Sequence, residues 1–121
     1  MYAECIDIVN QDDRLVHAGR FLDARVLMDV GGEQEMLTIS RGRVCVEQGP
    51  FVMPSCDFAI VADRLAWTEF VEDEPRPGRN DLFALLRNGL VRFHGDLQPL
   101  FANLQYFKDV LAAPRHIEAS A

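Results

Sequence analysis

His94 and Asp96, in the stretch HGD, are the two residues whose types and spacing could do chemistry together. Residues two apart on a continuous strand share a face, so an imidazole and a carboxylate would meet there as a metal-binding or acid–base pair. Gly95 and Pro99 favour another interpretation, in which a strand ends sharply and a helix begins with Asp96 as its N-cap. HGD is therefore predicted to be a structural hinge, and catalysis by His94 and Asp96 is the alternative.

The other reactive residue types form no complete catalytic or metal-binding pattern. Cys5, Cys45 and Cys56 share no CxxC spacing, which excludes the usual zinc and disulfide frameworks. Ser40 and Ser55 lack the GxSxG context of a nucleophilic serine, and the chain has no GxGxxG, P-loop or HExxH motif. The sequence thus predicts a protein that is not an enzyme and that needs neither a metal nor another cofactor.

Length and composition are those of one ordinary globular domain, 1–121. Of the 121 residues, 49% are hydrophobic and 26% are charged, which suffices to bury one core. The formal charge of −7 argues against a nucleic-acid partner, because phosphate binding needs a basic surface. No apolar run approaches the ~20 residues of a membrane span. Acidic residues stand where a signal peptide would be basic, so we expect a cytoplasmic protein.

Hydrophobic periodicity predicts a sheet first. Residues 1–18 carry a broken helical pattern and are taken as a poorly defined N-terminal segment. Alternation then begins, with Ala24, Val26 and Met28 on the inner side. Glycine pairs and single glycines separate the following strands, which favours antiparallel hairpins. The four predicted strands lie within 21–30, 35–42, 43–49 and 56–62.

From Asp63 the period changes to that of helices. Asp63 and Asn80 are the predicted N-caps of two helices, and Gly89 ends the second one. A strand over 90–94, a last helix from 97 to 112 and a flexible tail, 114–121, complete the chain. The predicted fold is α+β, a five-stranded antiparallel sheet with helices packed mainly on one face.

This order of elements resembles the sterol carrier protein type 2 family, and most closely its small stand-alone bacterial members. The specific stretches are CDFAIVADRLAWTEF and NDLFALLRNGLVRFHGDLQPLFANLQYFKDVL. Asp63, Gly89, Gly95 and Asp96 stand where the family places a helix-starting Asp, a helix-ending Gly and a Gly-Asp strand end. The resemblance covers about residues 20 to 112. It implies an apolar cavity between sheet and helices for a fatty acid, an acyl-CoA or a sterol-like lipid, and no catalytic residues.

Bulky apolar residues of the helices and the last strand are the predicted walls of that cavity. Side chains at such spacing also fill ordinary cores, so a solid interior is the alternative. The predicted ligand-binding residues are Trp67, Phe70, Leu82, Phe83, Leu86, Phe93, Leu100, Phe101, Leu104 and Phe107.

Three functions from different classes stay open. The first is a non-catalytic lipid-binding or carrier module. The second is an accessory protein-interaction domain without a ligand, and the third is a hydrolase-type enzyme that uses His94 and Asp96. A homodimer is a further hypothesis, because Leu27 and Val61 lie at outward positions on their predicted strands, among polar neighbours.

Overall fold

The computed structural model of this chain describes residues 2–51, 55–72, 75, 77 and 81–114. Asn80, most of the segment 75–79 and the tail from 115 onward lie outside the described residues. The elements are, in chain order, a 3₁₀-helix (Tyr2–Glu4), α1 (Ile6–Gln11), α2 (Asp13–Ala18), β1 (Asp23–Val30), β2 (Glu33–Ser40), β3 (Arg43–Gln48), β4 (Phe58–Ala62), α3 (Arg64–Phe70), α4 (Leu82–Arg87), β5 (Val91–Gly95), α5 (Gln98–Ala102) and α6 (Leu104–Leu111).

The strands form one mixed sheet in the order β3-β2-β1-β4-β5. The pairs β1–β2, β2–β3 and β4–β5 are antiparallel, as predicted. However, β4 lies parallel to β1, with Val26 opposite Phe58, so the prediction of a wholly antiparallel sheet is wrong at this pair. Hairpin turns leave local glycine signals, whereas a strand that returns to the middle of the sheet leaves none.

The described ends of the connection from β3 to β4 bond to β2 and β1, near the face of the sheet that lacks helices. The Phe51 amide donates to the side chain of Gln34 (3.1 Å), and the Arg25 amide donates to the Asp57 carboxylate (2.7 Å). Gln34 and Arg25 share this face with Leu27, which is only 8% exposed. Leu27 is thus covered within the chain and gives no argument for a dimer. The homodimer itself stays a prediction.

The opposite face carries the core. Ala24, Val26 and Met28 are buried there, as their alternation predicted. Side chains from every helix join them in one apolar cluster. Burial of that cluster is the main driving force for this fold. No helix among the described residues is long and apolar enough to cross a membrane.

Two of the predicted helix starts differ in outcome. Asp63 caps α3 as predicted, because its carboxylate accepts a hydrogen bond from the Ala66 amide (3.0 Å). The α4 helix begins at Leu82, with Asp81 in the N-cap position that was predicted for Asn80. Asp81 makes no side-chain cap and pairs with Lys108 instead (3.1 Å). A partner on α6 thus replaces local capping.

The predicted last helix, 97 to 112, is two helices. Its register breaks at Asn103, whose φ and ψ of −131° and 40° are not helical. The Asn103 side chain donates to the Pro99 carbonyl (3.1 Å) and occupies an acceptor of the first helix. Asn is a residue whose side chain competes with the backbone in this way, and periodicity alone does not show such a break.

Residues 2–18, which the sequence left poorly defined, form three short helices. Asn10 fastens α1 to the edge strand β3. Its amide donates to the Val44 carbonyl (3.0 Å) and its oxygen accepts from the Val44 amide (2.8 Å). The Asn10 side chain therefore occupies the backbone amide and carbonyl of Val44, which a further strand could otherwise bind. This protects the edge at Val44 from pairing with another chain.

Tyr106 of α6 connects the helical layer with the β2–β3 turn. Its hydroxyl donates to the Gly42 carbonyl (3.0 Å), and burial raises its pKa to about 12. Gly42 has φ +82°, and a Cβ at this position would collide with the backbone carbonyl of Val16. The turn thus needs Gly42 for its conformation and also for its contact with α2.

We predict that Gly42→Ala lowers the free energy of unfolding by about 3 kcal/mol, through backbone strain and the collision with Val16. Gly32→Ala is the matched control, since Gly32 also has positive φ (+92°) but meets nothing within 4 Å. Gly32→Ala should lower the free energy of unfolding by about 1–2 kcal/mol, from backbone strain alone. Urea denaturation followed by circular dichroism measures both variants. Equal losses would show that the contact with α2 contributes nothing.

Candidate functional site

His94 and Asp96 have different surroundings in the structure. His94 is exposed on β5, and the Asp96 carboxylate accepts a hydrogen bond from the Gln98 amide (3.0 Å). Leu97 occupies the N-cap position of α5, so the prediction that Asp96 is the cap is wrong by one residue. Asp96 nevertheless satisfies a first-turn amide from its position before the cap.

Gly95 turns the chain between β5 and α5. Its φ is +97°, and a Cβ there would lie 2.7 Å from the Asp57 carbonyl oxygen. The Asp96 amide donates to that same carbonyl (2.8 Å). The geometry is that of a tight structural turn, which agrees with the hinge interpretation of HGD.

Reactive side chains do not converge elsewhere in the described part of the chain. No group of three or more His, Cys, Asp or Glu residues is placed there to hold a metal ion. Cys5 is buried, and this burial raises the pKa of its thiol to about 11, so it is protonated at neutral pH. Cys45 is exposed and Cys56 is half-buried.

Half of the predicted cavity residues are buried in the interior. The rings of Trp67 and Phe70 are 4.6 Å apart, and Phe107 meets Phe58 edge-on at 5.4 Å. These distances are direct aromatic contacts with no space for a ligand between them. The five interior residues, each at most 2% exposed, are Trp67, Phe70, Leu82, Leu100 and Phe107.

The other half are partly or largely exposed. Phe83 and Phe101 stack at 6.4 Å, and the Lys108 ammonium lies 5.1 Å from the Phe83 ring. Phe101 is 57% exposed and Leu86 36%. A cleft of about 190 Å³ that Lys108 also lines includes Phe70 and Leu82. The five less buried residues are Phe83, Leu86, Phe93, Phe101 and Leu104.

Tyr2 supplies a polar contact inside this interior, and the sequence did not single it out. Its hydroxyl donates to the Leu111 carbonyl (2.8 Å) and accepts from Trp67 Nε1 (3.2 Å). All three residues are at most 3% exposed. The available signal was one aromatic residue before a broken helical pattern, which does not indicate contact with α3 or α6.

Glu35, on the core face of β2, holds the segment that carries Tyr2. Its carboxylate accepts from the amides of Tyr2 (3.1 Å) and Ala3 (3.3 Å) and from the Gln48 side chain (2.9 Å). Among the described residues it is the one buried charged side chain, at 8% exposure. Burial opposes ionisation, but hydrogen bonds to the carboxylate, those from Tyr2 and Ala3 among them, lower the pKa of Glu35 below its ordinary value.

No family model and no curated protein matches this chain. Solved structures do match. A crystal structure of sterol carrier protein 2 superposes with a TM-score of 0.69 at 18% identity, over 94% of this chain and 93% of that one. The UbiJ-SCP2 ubiquinone synthesis protein superposes with a TM-score of 0.64 at 19% identity, over 95% and 88%.

The chain has the sterol carrier protein 2 fold. The predicted resemblance to this family is thereby confirmed in structure. A similar fold also occurs inside one larger protein, since a double mutant of the sec-alkylsulfatase PisA1 matches with a TM-score of 0.64 at 16% identity. That match covers 88% of this chain but 16% of the sulfatase. The sterol carrier protein 2 fold therefore serves both as nearly a whole protein and as one part of an enzyme.

We predict that Asp96→Ala lowers the free energy of unfolding by about 1 kcal/mol, because a first-turn amide of α5 loses its acceptor. His94→Ala is expected to change it by less than about 0.5 kcal/mol, since His94 is exposed. Chemical denaturation measures both. If both variants kept full stability and lost the same hydrolytic activity, the catalytic interpretation would replace the structural one.

For Glu35→Gln we predict a loss of about 1–3 kcal/mol in the free energy of unfolding at pH 7, because charge-assisted hydrogen bonds are lost. The folded-state pKa of Glu35 is lowered, so its stabilisation is present above the ordinary value of 4.5 and is lost as the pH falls below it. The variant should thus approach wild-type stability in acid. Glu47→Gln is the matched control, with an exposed side chain on the neighbouring strand β3. A difference between Glu35→Gln and wild type that did not depend on pH would contradict the prediction.

Proposed function

We propose that this chain is a non-catalytic lipid-binding or carrier domain. Its ligand is an apolar chain or ring system that lies between the sheet and helices α3 to α6. The observation that supports this most is the sterol carrier protein 2 fold, shared over 94% of the chain. The layer between sheet and helices is built from aromatic and aliphatic side chains, which suit an apolar ligand.

Binding requires the helical layer to move where its side chains are in direct contact, as the rings of Trp67 and Phe70 are. The elements best suited to move are α4 and α5, which are six and five residues long. Such short helices have few internal hydrogen bonds, and their position depends on packing. Phe83 and Phe101 join them at the surface, so this stacked pair would form the mouth.

Affinity should be micromolar or weaker. Each buried methylene contributes about 0.8 kcal/mol, so a chain of about fifteen gains roughly 12 kcal/mol before costs. Association and ordering cost several kcal/mol, and separating α4 and α5 from the core adds to this. Hydrophobic transfer is also unselective, so chain length should matter more than the head group in the wild-type protein.

A protein-interaction domain is the second candidate function. One observation favours it, the exposed apolar side chains of Phe101 (57%) and Leu86 (36%). Exposed apolar residues that lie together commonly mark contacts with another protein. The occurrence of the same fold inside a sulfatase is compatible with this role.

We predict that long-chain fatty acids change the fluorescence of Trp67 saturably, in the micromolar range and below their own aggregation threshold. Trp67 is the single tryptophan of the chain and is fully buried, so it reports on the interior. Leu104→Ala should tighten binding several-fold, because it makes room against the core. Organic extraction of the purified protein with mass spectrometry then identifies any lipid that copurifies.

Leu65→Ala is the matched control, since Leu65 is 69% exposed and its truncation opens no interior space. Equal affinities of Leu104→Ala, Leu65→Ala and wild type would indicate adsorption to the surface. No saturable change with any chain length in any variant would contradict the lipid-binding function and favour the protein-interaction domain.

A further inference from the structure

We propose that the outer edge of β5 is a docking site for an extended segment of a partner protein, in which apolar and acidic residues alternate. The segment joins the sheet as a sixth strand. This role is independent of lipid binding, because it uses the backbone groups at the sheet edge and not the apolar layer between the sheet and the helices.

The two ends of β5 show which of its backbone groups bond to β4. At one end the Asp63 amide donates to the Leu90 carbonyl (3.0 Å), and at the other end the Asp96 amide donates to the Asp57 carbonyl (2.8 Å). Both pairs extend the β4–β5 register by one step. Hydrogen-bonded pairs alternate with non-bonded pairs along antiparallel strands. The even-numbered residues of β5 thus bond to β4, and the odd-numbered ones face the other way.

The outward backbone groups are the amides and carbonyls of Val91, Phe93 and Gly95. No hydrogen bond from the described part of the chain reaches them. The other edge of the sheet differs, because the Asn10 side chain occupies both backbone groups of Val44. A row of unpaired amides and carbonyls is a template for one more strand, so its occupant must be an extended backbone.

Side chains on the face of β5 that lacks helices favour an acidic occupant. Arg92 and His94 are exposed there, and Arg92 makes no ion pair within the described part of the chain. The three carboxylates at the ends of β4 and β5, those of Asp57, Asp63 and Asp96, each accept from a backbone amide. A guanidinium and an imidazole N–H both donate to carboxylates. An acidic residue beside Arg92 therefore gains a charged partner.

The helical side of the same edge favours apolar residues at alternate positions of the added strand. Phe93 points to this side, is half-buried and packs against the core cluster. Successive residues of a strand point to opposite faces, so an added strand places every second side chain beside Phe93. Apolar side chains at these positions extend the core, because cross-strand apolar pairs stabilise a sheet.

A second copy of this chain fits the edge less well. Antiparallel pairing of two β5 strands about Phe93 places the two Arg92 side chains at diagonal positions, where long side chains are within reach of each other. Like charges at this spacing oppose the pairing. Charged residues on an edge strand commonly prevent self-association in this way. Arg92 thus disfavours a second β5 and favours an acidic strand.

The test uses the full chain and three short blocked peptides. The first alternates valine and glutamate, the second alternates valine and lysine, and the third is the first peptide with every amide N-methylated. Fluorescence anisotropy of labelled peptides measures the affinities. We expect saturable binding of the valine–glutamate peptide in the high-micromolar range. The other two should bind about tenfold more weakly or not at all, because one reverses the charge and the other lacks backbone donors.

Amide hydrogen exchange, followed by NMR, locates the binding. In the free chain the outward amides of Val91 and Phe93 should exchange faster than those of Arg92 and His94, which bond to β4. The valine–glutamate peptide should slow exchange at Val91 and Phe93 and leave the other two amides unchanged.

Arg92→Glu should weaken binding of the valine–glutamate peptide about tenfold at low salt and strengthen binding of the valine–lysine peptide. Arg92 is exposed, so the variant keeps the fold. Arg43→Glu is the matched control, since Arg43 is exposed on the same face of the other edge strand, β3. It should change neither affinity.

Equal affinities for the two charged peptides would overturn the acidic class of partner. Equal binding of the N-methylated peptide, or unchanged exchange at Val91 and Phe93, would overturn strand addition at β5. Slower exchange of these two amides as the concentration of the free protein rises would assign the edge to a second copy instead. No binding of any peptide would overturn the docking site and leave the lipid-binding function standing, since the Trp67 titration tests that function separately.

Discussion

The parallel pairing of β4 with β1 is the constraint on which the rest of this fold depends. It places β1 in the centre of the sheet and forces the chain to cross from the β3 edge to the other side. Asp57 fixes the end of this crossing. Its amide donates to the Arg25 carbonyl (2.8 Å), its carboxylate accepts from the Arg25 amide (2.7 Å), and its carbonyl accepts from the Asp96 amide (2.8 Å). One residue thereby aligns β1, β4 and the exit from β5.

The described ends of the crossing lie near two buried residues of the sheet face that lacks helices. Leu27 and Met36 are 8% and 0% exposed, although their strand positions point away from the helices. Cys45, further out on the same face, is exposed. The helices all contribute to one apolar cluster on the other face, and Trp67 and Tyr2 meet in that cluster.

Features with local physical causes could be predicted from the sequence, and features with remote causes could not. Asp63 caps α3 because capping involves an amide three residues away, and Gly89 follows α4 with the positive φ that ends helices. The parallel partner of β1 and the position of Tyr2 depend on contacts between distant segments. Among the predicted walls, Leu100 and Phe101 are adjacent on α5, but Leu100 is buried and Phe101 is exposed. Periodicity predicts which residues form the apolar side of a helix. It does not predict which of those residues are buried by the rest of the chain.

Purely apolar packing does not fix one segment against another in a defined way, because dispersion and hydrophobic transfer act on any apolar group. A buried donor and a buried acceptor change this, since each is costly to leave unpaired and each demands a partner of defined chemistry. Tyr2 satisfies Trp67 Nε1 and the Leu111 carbonyl, and the Glu35 carboxylate accepts from its amide. These hydrogen bonds connect the N-terminal 3₁₀-helix to α3, α6 and the sheet, and they give the apolar interior one defined arrangement.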